Sequence, residues 1–334
     1  MMTYVARRCL QAALILAILT VIFFAILHAQ PGGPCAGFLI NKTPDSFARY
    51  QACAVARGLN LPLPTQYWRW LTAVSHGDFG LDLSNHPVVD AIKTRLPATL
   101  ILIGFAYLFQ QLVALPLGML GALKRYSLYD QFLTVFSYVG LSMPTFWLAL
   151  MLILLFAVVL QWFPPGGIIN PNFPVSFGTA DYWPWLLSHL GTGIGDLLAH
   201  LILPALTLAI IGIGVDSRFM RASMLDVINQ DYVRTARAKG LPPSKVVLKH
   251  ALRNALLPIV TNIGLFLGSV VGGAVITETI FGWPGMGQYF ISALGNSDTN
   301  AMQAVLLLTA LTVLLGNLAA DLMYAAVDPR IRYN

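Results

Sequence analysis

Residues 231–258 read DYVRTARAKGLPPSKVVLKHALRNALLP, and they form the longest basic, polar stretch between two apolar segments of the chain. The chain has 334 residues, of which 57% are hydrophobic and 10% are charged. An ordinary soluble domain carries about 25% charged residues. The composition therefore predicts an integral membrane protein, with this basic stretch held between two of its spans.

Six apolar runs are long enough to predict transmembrane helices. They lie within residues 10–27, 98–123, 131–160, 200–217, 256–281 and 302–327. The first run resembles a secretory signal, but about 18 apolar residues are near the spanning length and favour an uncleaved helix. Lys and Arg accumulate in cytoplasmic loops. Their positions here predict an all-α protein with six transmembrane helices and both termini in the cytoplasm.

The long, mixed segment after the first run divides the chain into two parts. Residues 1–97 are expected to hold the N-terminal helix and a long extracytoplasmic loop. Residues 98–334 are expected to form a five-helix core with a basic cytoplasmic segment at 218–256. Within the first part, Val88 to Leu96 is predicted as a short amphipathic helix that ends at Pro97, because proline interrupts helices.

Two of the three cysteines, Cys35 and Cys53, share the loop that is expected outside the cytoplasm. A disulfide between them is chemically feasible in such a compartment. Whether it forms depends on the distance between the two Cα atoms, which the sequence does not provide. The sequence contains neither a CxxC motif nor a His/Cys cluster, so no metal site is predicted.

Helix signals divide residues 231–258 into two short helices and a turn. Asp231 is the expected N-cap of a helix through Lys239, with Gly240 at the C′ position. Pro242 and Pro243 break the chain, and Ser244 is expected to cap the second helix. Small residues beside basic ones fit a helix seated in a partner's groove. The alternative is a loop packed on the protein's own spans, and the residues alone leave both interpretations open.

Four polar residues and one proline within or beside the apolar runs are candidates for a pathway or gate, namely Gln110, Gln111, Glu278, Asn317 and Pro144. An ionisable residue at membrane depth is a functional hypothesis by default. For Glu278 the alternative is an interfacial position, where it pairs with the backbone or contacts a partner. The two glutamines either line a pathway or join helices by hydrogen bonds.

Two carboxylates in the runs have an expected structural role. Asp216, at the inner end of the fourth run, is expected to pair with Arg218 or Arg221. Asp321 in the sixth run is expected to be a buried polar anchor.

Several function classes are disfavoured by the sequence. The net charge of +6 reflects basic residues between spans rather than along one soluble face, which argues against nucleic-acid binding. The sequence contains no G-x-x-x-x-G-K-[ST] motif, so this chain is not expected to hydrolyse ATP. No nucleophile triad or paired-carboxylate spacing stands out, and no catalytic residue is predicted.

The stretch at 231–258 is similar to the signature cytoplasmic loop of ABC importer permeases, an EAA triplet followed after three residues by glycine. Arg234, Thr235 and Ala236 occupy the triplet positions, and Gly240 is the glycine. Arg234 in place of the acidic residue, and the longer distance to Pro258, resemble the dipeptide, oligopeptide and nickel branch (DppB/OppB-type). Further similar segments are HGDFG at 76–80, LPATL at 96–100, SMPTFW at 142–147, TETIFGWPGMG at 277–287 and DPR at 328–330.

The resemblance implies the MetI-like fold of type I ABC importer permeases and a role as half of a peptide translocation pathway in the bacterial cytoplasmic membrane. The implied partners are a related second permease, two ATP-binding subunits and an extracytoplasmic substrate-binding protein. ATP and Mg would be bound by the ATP-binding subunits, with no cofactor on this chain. The residues implied in ATPase docking are Tyr232, Arg234, Ala236, Arg237, Lys239, Gly240 and Leu241.

An ion- or proton-coupled secondary transporter is the alternative function. Such proteins often carry internal repeats, and no obvious repeat is visible in this chain. The substrate stays open between dipeptides, oligopeptides, glutathione, nickel chelates and antimicrobial peptides.

Overall fold

The computed structural model describes residues 2–29, 33–40, 44–56, 58–256, 259, 266 and 274–327. All the secondary-structure elements formed by these residues are helices, apart from one isolated β-bridge. This confirms the all-α prediction. Most of the predicted fifth run, with Pro258, and the terminal segment 328–330 lie outside the described residues.

The helices follow one another along the chain in three groups. The N-terminal part contains α1 Met2–His28, a 3₁₀ turn Gly33–Cys35, α2 Gly37–Ile40, α3 Ser46–Ala56 and α4 Leu63–Ser75. The middle part contains α5 Val88–Leu123, α6 Leu128–Ser142, α7 Thr145–Leu152 with a π-helical continuation Ile153–Val159, α8 Tyr182–Ser188 and α9 Thr192–Ile228. The last part contains α10 Asp231–Ala238, α11 Pro243–Lys245, a π-helical segment Val246–Ala251, α12 Leu252–Ala255, α13 Val275–Ile280, α14 Met286–Gly295 and α15 Thr299–Val327.

Four described helices are long and apolar enough to cross a membrane, namely Ala6–His28, Val88–Leu123, Thr192–Ile228 and Thr299–Asp321. The predicted third run is a pair of helices, α6 and α7, bent by 103° at their junction. Pro144 lies at this bend with extended backbone angles, and it lacks the N–H that would continue the α6 hydrogen-bond ladder. The pair brings the count to five if it is one span, and the full set of six remains a prediction.

The prediction that a helix ends at Pro97 is wrong, because α5 runs without interruption through Pro97 and Pro116. Proline is tolerated in such helices when neighbouring groups satisfy the freed backbone atoms. One residue after Pro97, the Ala98 carbonyl oxygen accepts a hydrogen bond from the indole Nε1 of Trp283 at 2.9 Å, and this bond holds α5 against the segment before α14. The division proposed between residues 97 and 98 therefore falls inside one helix.

Helices α5, α6 and α9 form the closely packed centre of the fold. A Cβ atom added at Gly118 of α5 would lie 2.7 Å from the Cβ of Met220 in α9. One added at Gly214 of α9 would lie 3.2 Å from the Cα of Ser137 in α6. Glycines at these points let the helix backbones approach closely. Helix α9 has 37 residues, or about 55 Å at the α-helical rise, so it is long enough to extend beyond the bilayer.

The segment between α1 and α5 is held together covalently and by polar contacts to the start of α15. Cys35, which is fully buried, forms a disulfide with Cys53 of α3. The backbone N–H of Leu83 donates to the Asp298 carboxylate at 3.0 Å, and the Asn300 amide donates to the Leu81 carbonyl at 2.7 Å. These contacts make the segment a folded cap over one end of the helices.

Candidate coupling site and intramembrane polar clusters

The predicted helix, turn and helix are present within the described residues 231–256, and we call residues 231–255 the coupling hairpin. Gly240 adopts a φ of +74°, the left-handed conformation that favours glycine just beyond a helix. The predicted C′ position of Gly240 is therefore confirmed.

Both predicted N-caps of the hairpin are displaced. The first helix is capped by Gln230, and Asp231 is its first residue. In that position the Asp231 carboxylate lies near the positive end of the helix dipole. The second helix is capped by Pro242 rather than Ser244, because Pro243 fits the first helical position, where its missing N–H costs no hydrogen bond.

The inner face of α10 is buried against the chain itself. Val233 and Ala236 are 0% and 5% exposed. They belong to one hydrophobic cluster with Met220 and Met224 of α9 and Ala251 of the second helix. Ala236 therefore seats α10 on the end of α9, and in this conformation it does not offer its side chain to a partner. The interpretation of a segment packed on its own spans describes this face of the hairpin.

The outer face of α10 and the following turn are exposed. Their exposed residues are Asp231, Tyr232, Arg234, Thr235, Arg237, Ala238, Lys239 and Gly240, while Leu241 is half-buried against the inner cluster. The Arg234 guanidinium lies 3.5 Å from the exposed Asp231 carboxylate, and such a surface pair contributes about 0–1 kcal/mol. Three cations and one carboxylate leave this face positive, which suits a partner with acidic groups.

The predicted pairing of Asp216 with an arginine is wrong. Asp216 is 8% exposed, and its Oδ2 accepts hydrogen bonds from Gln110 Nε2 at 2.6 Å and from Gln111 Nε2. Arg218 and Arg221 are turned by about 200° and 140° around α9 from Asp216. They contact the Tyr138 ring and Asp130 instead. The two glutamines thus join α5 to α9.

Small and aromatic residues surround this polar cluster. A Cβ atom at Gly212 would collide with the Gln110 amide, so the glycine makes room for it. The hydroxyl of Tyr107 is buried without a hydrogen-bond partner among the described residues. Its ring stacks on Phe266 with centroids 3.7 Å apart, so the cluster adjoins the predicted fifth run.

Replacing Asp216 with Asn is expected to lower the free energy of unfolding by about 1 kcal/mol, because two charge-assisted hydrogen bonds become neutral or are lost. The measurement is thermal unfolding of the detergent-solubilised protein. Asp226→Asn, an exposed carboxylate on the same helix, is the matched control. Equal unfolding temperatures for the two variants would contradict the assignment of Asp216 as the joint between α5 and α9.

Glu278 is fully buried and pairs with the backbone, which is one contact that the interfacial alternative expects; its position relative to the membrane interface stays a prediction. Its Oε2 accepts a hydrogen bond from the Gln288 backbone N–H at 3.0 Å, and its Oε1 accepts one from the Thr99 hydroxyl at 2.9 Å. The Thr99 oxygen accepts from the Met286 N–H at 2.7 Å. The carboxylate and the threonine together cap the N-terminus of α14, where negative charge is favoured.

Glycines make this cap feasible by letting the backbone approach it. A Cβ atom at Gly285 would lie 2.5 Å from Glu278 Cδ, and one at Gly287 would lie 2.7 Å from the Cα of Val275. Thr99 belongs to the LPATL segment, and Glu278, Gly285, Met286 and Gly287 belong to TETIFGWPGMG. The structure therefore joins two segments that the sequence presents separately.

A tyrosine and an arginine flank this cap. The Arg95 guanidinium carbon lies 5.1 Å from the centroid of the Tyr289 ring, and Arg95 Nη1 lies 3.5 Å from Gln288 Oε1. Burial, together with the Asp298 and Asp82 carboxylates, raises the pKa of Tyr289 to about 12. The phenol is therefore protonated at neutral pH and interacts with Arg95 through its ring.

Asn317 lies apart from the clusters around Asp216 and Glu278, in a cleft of about 320 Å³ between α1 and α15. In the same cleft Arg8 Nε lies 3.3 Å from Asp321 Oδ2, with side chains 44% and 29% exposed. Asp321 is thus a half-exposed ion-pair partner of the first helix rather than a buried anchor. The pathway candidates are divided between separate clusters, with Pro144 at the bend before α7.

Two family models match this chain. The model described as binding-protein-dependent transport system inner membrane component matches residues 114–333. The corresponding N-terminal model of binding-protein-dependent transport system membrane components matches residues 1–103. Together they account for nearly the whole chain.

Curated relatives match over the same length. An oligopeptide transport system permease protein of Bacillus subtilis is 40% identical, with 100% of both chains covered. A dipeptide transport system permease protein of Escherichia coli K12 is 39% identical over 94% of both chains. A di/tripeptide transport system permease protein of Pseudomonas aeruginosa is 39% identical over 100% of this chain and 99% of its own. This chain therefore belongs to the family of binding-protein-dependent transport system inner membrane components.

Proposed function

We propose that this chain is a permease subunit of an ATP-binding cassette importer for peptides and forms half of its translocation pathway. The relatives that match it end to end are named as permeases for dipeptides, tripeptides and oligopeptides. The other half of the pathway is a related second permease, and an extracytoplasmic binding protein delivers the peptide.

The two-faced coupling hairpin is the observation that carries the proposal. Its inner face is fixed to the end of α9, while its outer face presents Tyr232, Arg234, Arg237 and Lys239 to the surroundings. A short helix that is rigidly seated on a span and exposed on its basic side is suited to receive movement from a separate protein. That protein is an ATPase subunit, which binds ATP and Mg, and two such subunits serve the permease pair.

The orientation follows from the same assignment. The coupling hairpin and both chain termini face the cytoplasm, in agreement with the basic loops. The Cys35–Cys53 disulfide then lies on the opposite side of the membrane, where disulfides persist. The folded segment between α1 and α5 is the surface nearest the binding protein.

The test is reconstitution of this chain in proteoliposomes with its permease partner, its ATPases and its binding protein. Uptake of a labelled dipeptide and of a labelled oligopeptide is expected only with ATP, and an ATPase-inactive variant of the partner is expected to abolish it. Uptake by this chain alone, driven by an ion gradient and indifferent to ATP, would refute the proposal in favour of a secondary transporter.

A further inference from the structure

The partly buried ion pair between Arg221 of α9 and Asp130 of α6 lies beside the hydrophobic cluster on which α10 packs. Arg221 Nε is 2.5 Å from Asp130 Oδ1, and its Nη2 is 2.8 Å from Oδ2. The Asp130 side chain is 6% exposed and that of Arg221 is 26% exposed. This parallel, two-point geometry fixes the direction of both side chains as well as their distance.

Arg221 is part of the helical turn that carries the hairpin. It lies between Met220 and Met224, both fully buried in the cluster that holds Val233 and Ala236 of α10. A displacement of α10 that moves this end of α9 therefore also moves the backbone that bears Arg221.

Asp130 fixes the beginning of α6. Its Oδ2 also accepts the Tyr126 backbone N–H at 3.0 Å, and its own N–H donates to the Ser127 hydroxyl that caps the helix. A Cβ atom at Gly121 of α5 would lie 3.6 Å from Asp130 Oδ1. The carboxylate thus ties the loop between α5 and α6 to the first turn of α6, which leads to the bend before Pro144.

We infer that Arg221 and Asp130 are positioning residues that transmit movement of the coupling hairpin to α6 and its bend. The inference rests on the proposed function. A buried ion pair is weak evidence for stability, since apolar residues often replace one without loss. Its fixed two-point geometry fits a requirement that α6 follow α9 when the ATPases act on the hairpin.

The experiment compares Asp130→Asn with the wild type in the complete reconstituted importer, supplied with its binding protein and a transported peptide. Asn keeps the shape of the side chain but removes its charge and one of its two acceptor oxygens. Peptides imported per ATP hydrolysed are expected to fall by about two- to thirtyfold, the range of coupling effects for residues remote from a ligand. Co-purification of the ATPases and their basal hydrolysis are expected to stay unchanged.

Asp90→Asn is the matched control, because Asp90 forms an exposed pair with Lys93 at 3.7 Å. If Asp130→Asn does not assemble, the same ratio of peptides imported per ATP hydrolysed is measured for Arg221→Lys. Lysine keeps the charge but not the two-point geometry. An unchanged ratio, or uptake and hydrolysis falling together in proportion, overturns the inference in favour of a purely structural pair. Failure of the wild type to show ATP-dependent uptake would instead refute the proposed function.

Discussion

Reversing two charges on the outer face of the coupling hairpin, Arg237→Glu with Lys239→Glu, will abolish ATP-dependent peptide uptake while the chain still folds and inserts. Both side chains are exposed, and neither forms an ion pair among the described residues. Their replacement therefore leaves the hydrophobic seat of α10 intact. If the ATPase docks on this positive face as proposed, the two new carboxylates would replace attraction by repulsion, and like charges at an interface cost several kcal/mol, about 100-fold or more in affinity.

The measurement has two parts, co-purification of the ATPase subunits and uptake in proteoliposomes. Arg7→Glu is the control, since this exposed cation lies on α1, which contributes no residue to the hydrophobic cluster under α10. Normal uptake by the Arg237/Lys239 variant would show that the ATPase docks elsewhere. A lower unfolding temperature of that variant than of the wild type would show that the outer face stabilises the fold instead.

Ala236 illustrates how far local sequence signals reach. The glycine at 240 and the two prolines after it predict the turn of the hairpin, because these residue types restrict the backbone wherever they occur. Which side of α10 meets the rest of the chain is decided by Met220 and Met224, which belong to a different helix. The sequence therefore predicts two helices and a turn, but it does not show that Ala236 belongs to the inner face.

The polar clusters show the same limit more strongly. Local spacing predicts a partner for Asp216 on its own helix, whereas its partner Gln110 lies 106 positions earlier in the chain. Asp130, which no local pattern singles out, pairs with an arginine 91 positions away. Such contacts depend on how helices pack and rotate against each other. Hydrophobic periodicity and loop charges predict the spans, but they do not determine how each span is rotated about its axis relative to the next.

Replacing Gly285 with alanine will destabilise the cap of α14 by about 3 kcal/mol, at the upper end of the cost of inserting a methyl group into a packed site. The new Cβ would lie 2.5 Å from Glu278 Cδ and closer still to the Thr99 hydroxyl, so the carboxylate must leave its hydrogen bonds. Thermal unfolding and uptake are the measurements. Gly295→Ala, at the other end of the same helix, is the control and should behave as wild type, because a Cβ atom added there would meet no neighbouring atom within 4 Å outside its own helix. Equal stability of the two variants would mean that the Glu278 carboxylate can move without cost, and that it does not hold α14 to α5.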